Sequence, residues 1–362
     1  MSGTSIDAVD GVLARFDAAG GLAQTLARAS LPIPAGLRQR LTALQQPGSD
    51  ELANAAVAAN DLADLYAECV KDLLEQAALP PSAVTALAAH GQTVRHRPER
   101  SYTIQLMNGA KLAERTTIDT VSDLRSADIA AGGQGAPLVP AFHARVFSDA
   151  DSRRAIVNIG GIANVTILEP TANASAMLTG YDTGPGNTLM DAWCEQHLGE
   201  RFDRDGRWAA AGQVDRRLLT RMLAEPYFAQ RAPKSTGRDL FNAQWLQRQD
   251  LSSLAPIDVQ ASLLVLTAMT IGDACRLHRV EEVFVCGGGA ANPPLMQEIQ
   301  AVLSGVPVRS TSELGLHPQA VEASAFAWLA RQRIQREPGN LQSVTGATGP
   351  RVLGALHAAP SR

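Results

Sequence analysis

Short β-rich runs alternate with longer helical stretches along most of the chain, and that alternation points to a mostly parallel α/β core. The β-rich runs cover residues 11–16 (GVLARF), 84–90, 103–107 and 116–121, then 154–159 (RAIVNI), 164–168, 178–182, 283–286 and 306–309. Helical patterns cover 51–77, 191–198, 215–223, 259–277, 294–302 and 318–335. The order suggests a rough duplication. The first half opens on a polar Gly/Thr/Ser/Asp turn leading into a strand, and the second on a strand, a Gly-Gly turn and another strand (RAIVNIGGIANVTIL). Two copies of one unit facing a shared cleft would explain both halves.

Composition narrows the class. With 362 residues, 45% of them hydrophobic and 19% charged, the chain can bury a substantial core and is not disordered. A net charge of -4 argues against a nucleic-acid partner, which would call for a basic stripe. The four cysteines, Cys69, Cys194, Cys275 and Cys286, form no C-x-x-C and no zinc spacing, so they read as reduced thiols. No basic region followed by an apolar run opens the sequence, and the most apolar stretch, 261–271, is too short to span a bilayer. A cytoplasmic protein with no membrane partner is expected.

Neither a G-x-x-x-x-G-K-[ST] string nor a complete G-x-G-x-x-G after a strand occurs, which leaves P-loop and Rossmann nucleotide sites unsupported. Turns rich in small residues take their place. Ser2, Gly3, Thr4 and Ser5 precede Asp7 and Asp10; hydroxyls and exposed N–H groups there suit phosphate oxygens, and either aspartate could hold Mg²⁺. A plain polar hairpin fits the same residues. The string Asn158-Ile159-Gly160-Gly161-Ile162-Ala163-Asn164 joins two β-rich runs and reads as a hairpin tip, with or without a ligand. Asp182 stands at a strand end before T-G-P-G-N, where backbone N–H groups can orient a general base, or where it simply caps the next element. Gly287, Gly288 and Gly289, followed by Ala290, Ala291 and Asn292, make a flat surface against which an adenosine could lie, or a tight strand-to-helix turn. His90, Gln92 and Thr93 end another β-rich run and could read sugar hydroxyls, while Arg125 could pair with a carboxylate.

Taken in order, MSGTSIDAVD, HGQTVRH, SDLR with AGGQGAPLVPAFH, NIGGIANVT, GYDTGPGN, DGRWAAAG, PKSTGRDLF, VCGGGAANPPLM and HPQAVEASAFAWLA resemble the anhydro-N-acetylmuramic acid kinases over nearly the whole chain. The resemblance implies two ribonuclease-H-like domains around a central cleft, the fold of the acetate and sugar kinase, heat-shock ATPase and actin superfamily. It implies an ATP- and Mg²⁺-dependent reaction in murein recycling. The 1,6-anhydro ring of anhydro-N-acetylmuramic acid is opened by water and O6 is phosphorylated, giving N-acetylmuramic acid 6-phosphate and ADP. Under it, Asp182 is the catalytic base. Gly3, Thr4, Ser5, Asp7 and Asp10 form a first phosphate loop, and Asn158, Gly160, Gly161 and Asn164 a second. Gly287, Gly288, Gly289 and Asn292 face the adenosine, and His90, Gln92, Thr93, Arg125 and Glu322 lie near the sugar or the catalytic water. Residues 1–140 are expected to form a first lobe and 141–335 a second, with 336–362 returning to the first. Relatives carry a strand ahead of the first turn, so the first hairpin is expected to lack one arm. The resemblance leaves a homodimer open. A kinase of the same fold for another sugar or an acid, and an ATP-switched binding protein without catalysis, are the alternatives.

Overall fold

The run 154–159 becomes the middle of a five-stranded sheet, and its sequence says why: Ala155, Ile156, Val157 and Ile159 are all completely buried, as a strand covered on both faces requires. The computed structural model describes residues 1–3, 6–172, 178–232 and 234–360. It divides into two units, one made of Met1–Val146 with Glu322–Arg362 and the other of Phe147–Val321. Among the described residues the strands are, in chain order, β1 (Ala8–Phe16), β2 (Leu22–Pro32), β3 (Leu87–Ala88), β4 (Gln92–Arg97), β5 (Tyr102–Leu106), β6 (Thr120–Ser122), β7 (Arg154–Ile159), β8 (Ile162–Leu168), β9 (Thr179–Pro185), β10 (Glu282–Cys286), β11 (Val308–Ser310) and β12 (Ala355–His357).

In the second unit the sheet order is β11-β10-β7-β8-β9. The first three strands of the unit form an antiparallel meander, and β10 and β11 add in parallel on the other side of β7. Counting strands within the unit, the order is third, second, first, fourth, fifth, the ribonuclease-H-like arrangement. The helix Pro256–Leu277 packs its Val259, Leu263, Leu266 and Ile271 into the same core cluster as Val157, Val165 and Val285. Each such side chain removed from water contributes about 2 kcal/mol. Pro256 opens this helix at a position where a missing N–H costs nothing. The apolar stretch 261–271 is thus only the middle of a 22-residue helix that is long and apolar enough to cross a membrane. Its apolar residues are spent on the core of the unit instead.

The first unit carries comparable elements in separate sheets: the hairpin β1-β2, the hairpin β4-β5, and the three strands β12-β6-β3. The helix Glu51–Ala77 has the boundaries its periodicity predicts. Ala58, Leu62, Leu65, Tyr66, Cys69 and Leu73 recur at three- or four-residue spacing and are its buried face. Two expectations fail locally. The run 116–121 is not one strand, because Asn108 caps a helix Gly109–Thr116 by accepting from the Lys111 N–H, and only Thr120–Ser122 remains extended. The run 84–90 shortens to Leu87–Ala88, which among the described residues pairs with β6 alone. The helix read as 318–335 starts as a turn at Pro318–Ala320 and becomes Val321–Gln335. Its residues from Glu322 onward cluster with the first unit rather than with the second. The tail returns with them. β12 pairs antiparallel with β6, and buried Asp128 accepts from Asn340 Nδ2 and Thr345 Oγ1 (both 2.7 Å) while its other oxygen accepts from Gly135 N–H (2.8 Å).

Candidate active site

In the second unit, three of the glycine-bearing strings converge on the C-terminal ends of β7 and β10, the end of a parallel pair where ligands bind in open α/β sheets. Gly160 O accepts from Asn187 N–H (2.8 Å), and Gly161 O accepts from Gly186 and Thr188 N–H (2.9 and 3.0 Å). A side chain at Gly186 would place its Cβ 2.4 Å from Gly160 O, so the two strings lock together only with glycine there. Gly287, at φ 80°, comes so close that a Cβ would lie 2.4 Å from Asn158 Oδ1. The Asn292 side chain is used locally: its Oδ1 caps the helix Pro293–Val302 by accepting from Leu295 N–H (3.1 Å).

Asp182 lies on β9 opposite Asn164 of β8. The segment after residue 233 runs beside it. Asp182 N–H donates to Lys234 O (3.3 Å), and Asp182 Oδ2 accepts from Ser235 Oγ (2.9 Å) and Thr236 N–H (3.0 Å). Tyr227 Oη donates to the Asp182 carbonyl (2.7 Å), fixing the backbone. Both donors to the carboxylate, one hydroxyl and one backbone N–H, serve Oδ2; among the described residues none serves Oδ1, which leaves that oxygen open to a water. Burial pushes the Asp182 pKa above the usual carboxylate range, against the opposing pull of Thr236 and Ser235. A raised pKa makes the carboxylate a stronger base, as proton abstraction from water requires. The Arg238 guanidinium lies against the Gly-Gly turn, 3.6 Å from where a Gly161 Cβ would stand. The sequence reading gave Tyr227, Ser235, Thr236 and Arg238 no roles; the PKSTGRDLF string was the only signal for three of them.

In the first unit, buried His90 and half-buried Arg125 are joined by hydrogen bonds, and Glu322 is close enough to Arg125 to feel its charge. His90 Nδ1 donates to Gly91 O (2.7 Å), so Nε2 is the lone-pair nitrogen, and it accepts from Arg125 Nη2 and Nε (2.8 and 3.2 Å). Burial and the adjacent guanidinium hold His90 neutral by pushing its pKa well down. Arg125 Nη1 donates to Gly135 O (2.7 Å), and burial brings its pKa to about 10, low for arginine but still cationic at pH 7. Burial raises the Glu322 pKa, and Arg125 pulls it back down. Gln92 is buried on β4, and its Oε1 has no hydrogen-bond partner among the described residues. Thr93 Oγ1 accepts from Gln105 Nε2 (3.2 Å).

The first turn is described only at its ends; Thr4 and Ser5 lie outside the described residues. A Cβ on Gly3 would meet nothing within 4 Å, so its backbone is open to approach. Asp7 pairs with Arg38 (2.9 Å), while Asp10 Oδ1 accepts from Ser30 Oγ (2.7 Å). Among the described residues no group of three or more His, Cys, Asp or Glu is arranged to hold a metal.

The profile of the anhydro-N-acetylmuramic acid kinase family matches residues 1–359. Two curated relatives bear that name and are each 52% identical to this chain. One, from Paraburkholderia xenovorans (strain LB400), aligns over 366 residues, and the other, from Ralstonia nicotianae (strain ATCC BAA-1114 / GMI1000), over 369. Both alignments cover 99% of this chain and 96% of the relative. Among solved structures, the activator of the 2-hydroxyisocaproyl-CoA dehydratase from Clostridium difficile with bound ADPNP aligns with 92% of this chain and 99% of its own, at a TM-score of 0.45 and 12% identity. On the profile match and on relatives of this identity over almost all of its length, the chain belongs to the anhydro-N-acetylmuramic acid kinase family.

Proposed function

We propose that the protein is an ATP-dependent kinase that opens 1,6-anhydro-N-acetylmuramic acid with water and phosphorylates O6, releasing N-acetylmuramic acid 6-phosphate and ADP. The observation that carries the reading is Asp182: a carboxylate of raised pKa, tethered at one oxygen and open at the other, in the same unit as glycine turns that can approach phosphates. Asp182 takes a proton from water as the water oxygen bonds to C1. The C1–O6 bond breaks, O6 bonds to the γ-phosphorus, and the bond from that phosphorus to ADP breaks. An inverting glycosidase would need a second carboxylic acid for the leaving oxygen. Here the phosphoryl group takes that place, and the negative charge of the transfer calls for positioned donors and cations. The backbone of Gly160, Gly161, Gly287 and Gly288 gives the nucleotide close approach, and Arg238 supplies a guanidinium toward its phosphates. Of the two aspartates in the first turn, Asp10 fits Mg²⁺ better, since Arg38 already occupies Asp7. Mg²⁺ binds through one or two carboxylates plus phosphate oxygens and offsets phosphate charge. His90, Gln92, Thr93, Arg125 and Glu322 are the sugar-side residues; the buried, unpartnered Gln92 Oε1 is suited to a sugar hydroxyl.

The test is product analysis with 1,6-anhydro-N-acetylmuramic acid, ATP and Mg²⁺ in ¹⁸O-water. The expected product carries phosphate on O6 and ¹⁸O on C1. Equal phosphorylation of plain N-acetylmuramic acid, with no demand for ring opening, would instead make the protein a kinase for another sugar.

Ser235→Ala tests the tether. The Ser235 hydroxyl stabilises the charged form of Asp182, so its loss raises the pKa further. The acid limb of the kcat/KM profile is expected to move to higher pH, by up to about 1 unit for ~1.4 kcal/mol of lost hydrogen bonding. An unmoved limb would show that Asp182 is not the group titrating there.

A further inference from the structure

The run Gly132-Gly133-Gln134-Gly135 of the first unit has little side-chain packing to fix it, and Gly132 and Gly135 both stand at positive φ (80° and 68°). Its position has to come from hydrogen bonds, and the tail supplies them. Gln134 N–H donates to Thr345 O (2.7 Å), and Thr348 N–H donates to Ala131 O (2.9 Å). Asp128, completely buried, is the third anchor. Its Oδ1 accepts from Asn340 Nδ2 and Thr345 Oγ1, 212 and 217 residues further along the chain. Its Oδ2 accepts from Gly135 N–H. A Cβ on Gly133 would lie 2.2 Å from Asp128 Oδ2 and 3.0 Å from Ala347 Cβ, so the run and the tail close on this carboxylate with no room for a side chain.

The same glycine meets Arg125. Gly135 O accepts from Arg125 Nη1, while Arg125 Nη2 and Nε both donate to His90 Nε2. Residue 135 thus carries the carboxylate held by the tail on its N–H and the guanidinium on its C=O. A guanidinium has five N–H groups. The three bonds to His90 and Gly135 leave others on Nη1 and Nη2 for a ligand. Where those point is set by His90 and Gly135, and Gly135 is set by Asp128. The Asn340 amide is itself fixed: its Oδ1 accepts from Arg351 N–H (2.6 Å), and its Nδ2 also reaches Gly349 O (3.2 Å). Hydrogen bonds to a carboxylate are about twice as strong as neutral ones, so Asp128 is where a lost donor is felt most.

We infer that Asp128, Asn340 and Thr345 are positioning residues for sugar binding: the tail holds Asp128, Asp128 holds Gly135, and Gly135 aims the remaining N–H groups of Arg125 at the sugar. The inference rests on the reading of Arg125 as a sugar-side residue. The three residues act through Arg125 and not by contact with the sugar. Losing one donor to Asp128 misaims a binding group, and small misplacements of that kind are costly even when they start far from the chemistry. Arg125 meets the sugar both before and during the reaction, so the loss falls on KM rather than on kcat.

The full chain is compared with Thr345→Val, Thr345→Ser, Val344→Ala, Arg125→Lys and the double variant of Thr345→Val with Arg125→Lys. The readouts are sugar KM, ATP KM, kcat, Tm and the NMR signal of the Arg125 Nε–H. Thr345→Val keeps the side-chain shape and removes the hydroxyl. It is expected to raise sugar KM about 10-fold, leave kcat and ATP KM unchanged, and shift the Arg125 Nε–H signal. Thr345→Ser keeps the donor and should restore both the KM and the signal. Val344→Ala shortens a buried tail side chain and should lower Tm while moving neither. In the Arg125→Lys background Thr345→Val should add nothing to sugar KM, because the two changes act through one group. A sugar KM raised by Arg125→Lys and unmoved by Thr345→Val would overturn the inference and leave the proposed function standing. An equal KM rise in Val344→Ala at matched loss of Tm would also overturn it, since the tail would then only hold the fold. If Arg125→Lys leaves sugar KM unmoved, the sugar-side reading of Arg125 is what fails; a Nε–H signal unmoved by Thr345→Val would then overturn the positioning of Arg125 as well. Should Thr345→Val fail to fold, the isosteric Asp128→Asn takes its place with the same expected KM rise and signal shift.

Discussion

Asp182→Asn is expected to lower sugar-dependent ADP release by about 10³-fold, within the range a general base contributes, while ATP affinity stays nearly unchanged. Asparagine keeps an oxygen that can accept from Ser235 Oγ and Thr236 N–H, so the local geometry is conserved. What is lost is the ability to take a proton. A 10³-fold loss is about 4 kcal/mol of transition-state stabilisation. Stability should move the other way. Burial raises the Asp182 pKa, which means the folded state disfavours the carboxylate at neutral pH; that destabilisation grows as pH rises through the raised pKa. A neutral amide removes it, so the variant should melt at the same temperature or higher at pH 8 and gain nothing at pH 4. A collapse of both turnover and Tm would indicate structural damage, and retained turnover would move the base elsewhere, with Glu322 the next candidate.

The parts of the site that a reader of the sequence can see are those whose chemistry is local. GYDTGPGN and NIGGIAN are visible because a carboxylate beside a Gly-rich string and a Gly-Gly turn each show within eight residues, although β9 runs on to Pro185 and so places Asp182 in mid-strand rather than at the strand end expected. The boundaries of the helix Glu51–Ala77 are visible for the same reason, since its buried face repeats along one continuous stretch. Ser235 is 53 residues from the carboxylate it holds, and no periodicity links the two positions. Asn292 shows a side chain with a local job that its string does not announce. A string that reads as an adenosine surface also contains a helix cap, and the Leu295 contact makes that capping visible. Asp7 and Asp10 look alike in sequence, and their partners, Arg38 for one and Ser30 for the other, separate them. The short β3 was overread because a β-rich run gives its length by composition, whereas a strand gives it by partners, and one of its edges has none among the described residues.

Arg125→Ala should have the second large effect, on stability and on sugar affinity together. The guanidinium is half-buried and serves His90 Nε2, Gly135 O and the charge of Glu322 at once. Removing it leaves the Glu322 charge without its nearby cation, and two acceptors unpaired. The pH dependence follows from the direction of the Glu322 shift. Burial already raises that pKa, so stability is lost as pH rises from the unfolded value through the folded one. Arg125 limits the loss by favouring the charged form, and without it the folded pKa rises further. Arg125→Ala should therefore lose much more stability at pH 8 than at pH 5. Asp10 and the Met1 amino group also act on Glu322, in opposite directions, and Asp128 acts on Arg125; all three remain in the variant. Adding Glu322→Gln should flatten the pH dependence and restore much of the lost Tm, because the amide needs no cation. It should not restore the sugar KM, which is expected to rise about 100-fold, ~2.7 kcal/mol, the scale of a charged hydrogen bond. Equal losses at pH 5 and pH 8 would separate Glu322 from Arg125. A KM recovered in the double variant would make Arg125 a fold-holding residue rather than one that meets the sugar.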